Sequence, residues 1–159
     1  MTTDQPPEPG SDELLSVLIA DDEAVVRETI SIYVNSAPDM QVVGTAADGR
    51  AAVQMAETLR PDIILMDIQM PRVDGVEAVA EVLRLLPRTH VVMITTFTSR
   101  EAVVPALRAG ALGYVLKSDP PERLLSAVRE AVAGRTQLSP QALEAVSYTH
   151  LTLPTKRIV

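Results

Sequence analysis

Five short apolar segments alternate with five longer segments of helical periodicity, and this alternation constrains the fold more than any other feature of the chain. The apolar segments are rich in Val, Ile and Leu, which is typical of strands buried on both faces. They are LLSVLIA (14–20), QVVGTA (41–46), DIILMD (62–67), HVVMITT (90–96) and LGYVLK (112–117). The alternation predicts an α/β fold, in which a doubly wound, five-stranded parallel sheet carries five helices on its two faces.

Charge and composition exclude several classes of function. All 21 acidic residues but only 12 of the 14 basic ones lie in residues 1–145, which gives this part a formal charge of −9. A surface this acidic repels nucleic acid, so we do not expect these residues to bind DNA themselves. The chain has no cysteine, no signal-peptide pattern at its N-terminus and no apolar run that approaches a membrane span. These features are compatible with a cytoplasmic location.

Charged and hydroxylated side chains follow the ends of the predicted strands. Ligands bind to sheets of this kind outside the carboxyl ends of the strands, so these side chains should converge on one rim. They are Asp21 and Asp22 after the first strand, Asp67 after the third, Thr95 and Thr96 after the fourth, and Lys117 after the fifth. Clustered carboxylates need a cation, and hard oxygen ligands without His or Cys favour Mg²⁺. The pattern therefore predicts phosphoryl transfer onto an Asp carboxylate, with Lys and Thr as donors to the phosphoryl oxygens.

Four sequence motifs carry a resemblance to a known family. The strings VLIADDE, ILMDIQMPRVDG, MITT and GYVLKSD occur in this order between residue 16 and about residue 134. Together they resemble the response-regulator receiver domains of bacterial two-component systems. The resemblance implies a flavodoxin-like fold with strand order 2-1-3-4-5. It also implies a sensor histidine kinase as the phosphoryl donor and a switch in conformation, without catalysis on a separate substrate.

The resemblance also implies a role for each site residue. Asp67 would be the phosphoacceptor, Lys117 would contact the phosphoryl group, Thr95 would be the switch hydroxyl, and Tyr114 would be a coupled rotamer switch. The metal set would be Asp22, Asp67 and the backbone carbonyl of Gln69, with Asp21 binding Mg²⁺ directly or through water. Pro71 and Gly75 would shape the loop after Asp67.

Further details resemble one branch of this family and suggest how the chain is organised. The strings TTF, ALRAGALGYVLKSDPPERLLSAVR and GRTQLSP resemble the nitrate-response or LuxR-like branch, in which a helix-turn-helix DNA-binding domain follows a linker. We expect a disordered leader (1–13), a receiver domain (14–135) and a linker (136–146). Residues 147–159 resemble the translated read-through of a sequencing adapter, so we expect a non-native tail and an absent output domain. The alternative is a single-domain receiver that acts through protein contacts. A phosphorylation-dependent homodimer is a further expectation.

Alternative interpretations exist for several of these features. Asp21 and Asp22 could serve only as N-caps of the first helix. A phosphohydrolase of the haloacid-dehalogenase type also uses an Asp nucleophile, but it needs a second Asp two positions further on, where this chain has Gln69. No nucleotide-binding glycine motif is present. A receiver that has lost phosphorylation and serves as a scaffold is a further alternative, against which the retained site residues argue.

Two more residues give local predictions. Pro105 lies inside the predicted fourth helix, which should therefore be short, kinked, or regular only from Pro105 onward. Phe97, two residues beyond Thr95, should overhang the rim and exclude water from a phosphorylated Asp67.

Overall fold

The computed structural model describes residues 13–96 and 100–138, which form one layered α/β domain. The strands are β1 (Leu15–Ala20), β2 (Met40–Ala46), β3 (Ile63–Asp67), β4 (His90–Thr95), β5 (Gly113–Leu116) and β6 (Gln137–Leu138). The helices are α1 (Ala24–Ser36), α2 (Gly49–Leu59), α3 (Gly75–Leu85), α4 (Arg100–Arg108) and α5 (Pro121–Val132). Strands β1 to β5 lie where the sequence predicts them, with ends that differ from the predicted ones by at most one residue, and a helix follows each of them.

The sheet is parallel, with the order β2-β1-β3-β4-β5-β6. The predicted order 2-1-3-4-5 is thus confirmed, and a two-residue sixth strand is added beyond β5. In β6, Gln137 and Leu138 pair with Gly113 and Tyr114. Two residues are too few to produce a strand pattern, so the sequence carries no signal for β6. Its pairing satisfies part of the otherwise open edge of β5.

Alternate residues of the central strands point to opposite faces and build two apolar cores. One core packs the even-numbered residues of β1 and β3, such as Leu18 and Ile64, against α2, α3 and α4. The other packs odd-numbered residues, such as Ile19 and Leu65, against α1 and α5. Burial on both faces explains why these strands are continuously apolar. The rigid sheet thereby fixes the carboxyl ends of β1, β3, β4 and β5 along one rim.

The helix ends agree with the local chemistry of the chain. Asp48 and Asp74 cap α2 and α3, because their side chains accept hydrogen bonds from the N–H groups of Ala51 and Glu77 at 2.8 Å and 2.9 Å. Helix α4 has only nine residues and contains Pro105. Over the described residues this helix is the shortest of the five, as predicted, but it begins at Arg100, so the alternative that it is regular only from Pro105 onward is wrong.

Some sequence predictions fall outside the residues that the structure describes. They concern the leader up to residue 12, the side chain of Phe97, and the linker and tail from residue 139 onward. Within the described ranges, no helix is both long enough and apolar enough to span a membrane.

Gly75, the first residue of α3, lets the chain pass close to the end of β3. Its N–H donates to the Ile68 carbonyl at 2.8 Å. A Cβ atom at this position would lie 2.1 Å from the Asp67 carbonyl oxygen and 2.8 Å from the Ile68 Cα atom. These backbone atoms cannot move without displacing Asp67. The absence of a side chain at residue 75 is therefore a requirement of the loop after Asp67.

We expect Gly75→Ala to lower the free energy of unfolding by about 2–3 kcal/mol, because the new methyl group overpacks against backbone. Urea denaturation measures this loss. The matched control is Gly134→Ala, since Gly134 has a φ of 82° but a Cβ atom there would meet no described atom within 4 Å. That control should lose only about 1 kcal/mol through backbone strain. Equal losses in both variants would contradict the steric explanation.

Candidate phosphoacceptor and metal site

Three strand ends bring the charged residues of the site together. Asp21 follows β1, Asp67 is the last residue of β3, and Lys117 follows β5. The backbone N–H of Asp21 donates to the Ala46 carbonyl at 3.0 Å, and that of Lys117 donates to the Thr95 carbonyl at 2.9 Å. The backbone that carries these side chains is therefore tied to neighbouring strands and is held in place by the sheet.

Lys117 is the centre of the cluster. Its Nζ atom lies 2.8 Å from Asp21 Oδ2 and donates a hydrogen bond to Asp67 Oδ2 at 3.2 Å. The side chains of Asp21 and Asp67 are 0% and 5% exposed, and that of Lys117 is 14% exposed. Two nearly buried carboxylates thus face one ammonium group. Such an arrangement is tolerable only because the charges compensate one another.

Asp21 lies beneath the site and is held from several directions. Its Oδ1 atom accepts a hydrogen bond from the Glu23 N–H at 2.8 Å, and its carbonyl accepts one from Arg27 at 2.7 Å. Its Oδ2 atom is buried and has the Lys117 charge beside it, but it receives no hydrogen bond of good geometry from the described residues. The N-cap residue of α1 is Glu23, so neither Asp21 nor Asp22 is the cap of that helix.

Asp21, Asp22 and Asp67 fit a hard divalent cation. One carboxylate oxygen from each of the three lies within 4.8 Å of the others. The buried Asp21 Oδ2 atom lacks a hydrogen-bond donor among the described residues, and Asp22 is exposed to solvent. Carboxylate oxygens without nitrogen or sulfur ligands suit Mg²⁺. The backbone N–H of Gln69 donates to Asp67 Oδ1 at 3.4 Å, so Gln69 lies beside the same carboxylate.

An open cleft of about 580 Å³ lies above these carboxylates. Five of the residues predicted for the rim or the site line it, namely Asp22, Asp67, Gln69, Thr96 and Lys117. Pro71, predicted to shape the loop, also lines it, as do three residues to which no role was assigned: Glu23, Met70 and Asp74. Glu23 and Asp74 are the N-cap residues of α1 and α3, and their place in the loops that follow β1 and β3 was the signal that could have identified them.

Thr95 and Tyr114 lie behind the cleft and not in its lining. Both are fully buried. Thr95 is a hydrogen-bond partner of Tyr114, which pairs with Met93 across β4 and β5. Burial raises the pKa of Tyr114 to about 12, and the Asp67 charge adds to this effect, whereas the hydrogen bond with Thr95 opposes it. The Tyr114 hydroxyl is thus close enough to Asp67 for the Asp67 charge to affect its pKa, and both residues are shielded from solvent.

Burial and like charge also act on Asp67. Burial, together with the neighbouring Asp21 charge, raises the pKa of Asp67 from 3.8 to about 6, although Lys117 opposes both effects. Burial alone would lower the pKa of Lys117, but its contacts with Asp21 and Asp67 raise the pKa above the ordinary value. Asp67 therefore binds a proton more readily than an ordinary carboxylate, and it lies beside a lysine that stays positively charged.

The fold and site together define a doubly wound α/β domain with an acidic, lysine-containing cleft at the carboxyl edge of its sheet. The family model described as "Response regulator receiver domain" matches residues 17–129. The chain therefore belongs to the response-regulator receiver family, as its motifs predict. This is a signalling domain, and its relatives include proteins named as transcriptional regulatory proteins.

Individual relatives support the same assignment. The chain is 44% identical over 120 residues to the uncharacterized transcriptional regulatory protein YxjL of Bacillus subtilis, and the match covers 76% of this chain and 55% of that protein. It is 40% identical over 128 residues to the oxygen regulatory protein NreC of Staphylococcus carnosus, covering 80% and 59%. The chain thus spans little more than half the length of these relatives.

Solved structures of response regulators support the predicted likeness to the nitrate-response or LuxR-like branch of the family. A LuxR-family response regulator from Aurantimonas sp. SI85-9A1 superposes with a TM-score of 0.82 at 28% identity, covering 87% of this chain and 99% of that one. The receiver domain of NarL from Mycobacterium tuberculosis superposes with a TM-score of 0.73 at 31% identity, covering 77% and 99%. The likeness to the nitrate-response or LuxR-like branch that the motifs suggest is thereby confirmed.

The raised pKa of Asp67 predicts how stability depends on pH. The folded protein holds this proton more tightly than the unfolded chain, so the contribution of Asp67 to stability is greatest in acid and falls as the pH rises from about 4 to about 6. Above this window, ionised Asp67 destabilises the metal-free fold. We expect Asp67→Asn to raise the free energy of unfolding at pH 7 by about 1–2 kcal/mol, and by much less at pH 4.

Urea denaturation in EDTA at the two pH values measures this effect. Asp74→Asn is the matched control, because Asp74 lines the same cleft but is exposed, and Asn caps a helix as well as Asp does. It should leave stability unchanged at both pH values. A loss of stability in Asp67→Asn at pH 7 would contradict the predicted electrostatic cost.

Proposed function

We propose that Asp67 accepts a phosphoryl group from the phosphohistidine of a sensor histidine kinase. The observation that carries this proposal is the Asp67 carboxylate, which lies at an open cleft with Lys117 3.2 Å from one of its oxygens. In the transfer, a bond forms between an Asp67 oxygen and phosphorus while the bond from phosphorus to the donor nitrogen breaks. The imidazole leaves with the bonding electron pair. The chain therefore acts as the acceptor and catalyses no reaction of a separate substrate.

Mg²⁺ would be held by Asp21, Asp22, Asp67 and the backbone carbonyl of Gln69. The fit rests on the three carboxylates whose oxygens lie within 4.8 Å of one another. When bound, the ion would neutralise the negative charge of the carboxylates and of the phosphoryl oxygens. Lys117 would donate to one phosphoryl oxygen from the other side, because its ammonium group already lies at Asp67.

The switch residues in this proposal are Thr95 and Tyr114. Both are buried directly behind the site and are linked by a hydrogen bond, so a movement of one hydroxyl requires a change at the other. A phosphoryl group on Asp67 would offer Thr95 a charged acceptor in place of Tyr114. The shift between the two states is limited by the difference in interaction free energy that the phosphoryl group has with each.

The output of the switch in this proposal is transcription. YxjL is called a transcriptional regulatory protein, and the region matched by this chain covers 55% of it. We infer that the receiver acts on a helix-turn-helix DNA-binding region in a longer protein. Direct DNA binding by residues 1–145 is opposed by their formal charge of −9, from 21 acidic and 12 basic residues. Such a regulator would work in the cytoplasm, where kinase and DNA are both accessible.

Phosphorylation of Asp67 can be tested with acetyl phosphate and Mg²⁺, followed by intact-mass spectrometry. We expect the wild type to gain one phosphoryl mass, and Asp67→Asn to gain none because it lacks the nucleophile. EDTA should abolish the gain, since the carboxylates then lack their cation. Asp74→Asn, altered in the same cleft, should gain the mass like the wild type. An equal gain in Asp67→Asn would contradict the assignment of the acceptor.

A phosphorylation-dependent homodimer remains a prediction of the family resemblance. Size-exclusion chromatography with light scattering, in Mg²⁺ with and without beryllofluoride as a phosphoryl mimic, measures the mass in each state. We expect the mass to double with the mimic in the wild type but not in Asp67→Asn. An unchanged mass in the wild type would refute the dimer without affecting the assignment of Asp67.

A further inference from the structure

Lys117 has a third carboxylate partner, Glu23, at the mouth of the cleft. The Lys117 Nζ atom donates to Glu23 Oε1 at 3.4 Å, slightly longer than its 3.2 Å bond to Asp67. The Glu23 side chain is 64% exposed, in contrast to the buried carboxylates of Asp21 and Asp67. Glu23 therefore approaches the ammonium group from the solvent side, while the other two approach it from within the protein.

The helix that Glu23 begins does not account for the position of its side chain. Glu23 is the N-cap residue of α1, yet its side chain makes no capping hydrogen bond. Its backbone is fixed, because its N–H donates to Asp21 Oδ1 at 2.8 Å and its carbonyl accepts from the Arg27 N–H at 3.1 Å. The side chain extends over the cleft to Lys117 instead. A role at the site explains this contact better than a role in the helix.

The three partners of Lys117 are not equally easy to replace. An ammonium group has three N–H donors, and here three carboxylates surround it. Hydrogen bonds to Asp67 and Glu23 take two of these donors, and Asp21 Oδ2 lies 2.8 Å from the ammonium nitrogen without a hydrogen bond of good geometry. A phosphoryl oxygen that approaches from the solvent side therefore competes with Glu23 for Lys117. Separating buried Asp21 or Asp67 from its cation would leave a charge without compensation, which is costly. Exposed Glu23 would regain water, so its separation costs little.

We propose that Glu23 is a positioning residue for phosphoryl transfer that acts through Lys117. It holds the ammonium group at the mouth of the cleft in the unphosphorylated protein, and an incoming phosphoryl group displaces it. This inference rests on the proposed function of Asp67. Because Glu23 competes for Lys117 with a negative charge of its own, it slows transfer from anionic donors. The effect grows with the negative charge of the donor.

The test compares Glu23→Gln with the wild type, using two small donors of different charge. Acetyl phosphate is a dianion and phosphoramidate a monoanion at neutral pH. Each forms the same Asp67 oxygen–phosphorus bond, while the phosphorus bond to acetate oxygen or to ammonia nitrogen breaks and the leaving group takes the electron pair. The matched control is Glu28→Gln, which removes the same charge from an exposed position of α1.

With acetyl phosphate, we expect Glu23→Gln to be phosphorylated about two- to fivefold faster than the wild type, as for the loss of one exposed ion pair. This increase in rate should be smaller with phosphoramidate, and it should also be smaller at about 1 M salt, where exposed charges are screened. Glu28→Gln should match the wild type. If the substitution changed only the local structure, it would change the phosphorylation rates with both donors by the same factor, and salt would not affect that factor.

Two results would overturn the inference. One is equal phosphorylation rates for Glu23→Gln and Glu28→Gln with both donors. The other is an increase in the rate of Glu23→Gln that is the same for both donors and at both salt concentrations. In either case the wild type still gains the phosphoryl mass, so the assignment of Asp67 stands. If the proposed function itself were wrong, the wild type would gain no mass from either donor. Circular dichroism melting curves of the variants verify that each is folded.

Discussion

The burial of two carboxylates around one ammonium group is the interaction on which the rest of the site depends. Asp21 and Asp67 come from strands that are adjacent in the sheet, and Lys117 comes from a strand two positions further along. Without Lys117, two like charges would face each other in a poorly solvated place. The parallel sheet solves this problem by delivering both signs of charge to the same rim. The charge compensation that the site needs therefore depends on the order and the direction of the strands in the sheet.

Much of this arrangement could be predicted from the sequence, because parallel strands impose a simple rule. A strand buried on both faces is apolar throughout, so a charged residue at its end is conspicuous. Asp67 and Lys117 stand out in this way after IILM and GYVL. Since parallel strands all end on one edge, residues 50 positions apart could be predicted to meet, and they lie 3.2 Å apart. The order of the strands came from the family resemblance and not from periodicity.

Other features could not be read from the sequence, for reasons that are specific to each. Glu23 lies at the N-terminus of a helix, where acidic residues are common. Its presence in the sequence therefore gave no reason to expect its contact with Lys117. Thr95 is the last residue of β4 and is buried, whereas Thr96 lies one residue beyond the strand and is exposed. The continuous run HVVMITT does not show where the strand ends. Strand β6 depends on an open edge of β5, which is a property of the assembled sheet.

The charge of the cleft shows why the site needs more than its lysine. Three carboxylates, from Asp21, Glu23 and Asp67, surround Lys117, and Asp22 lies beside two of them. Among the described residues of this cluster, negative charges therefore outnumber positive ones. Burial, and after it the neighbouring Asp21 charge, raise the pKa of Asp67, although Lys117 opposes both effects. A phosphoryl group adds further negative charge at the same place. Lys117 alone cannot compensate it, and a divalent cation among the carboxylates would. The excess negative charge among these carboxylates therefore favours a divalent cation, which is what the proposed phosphoryl transfer would require.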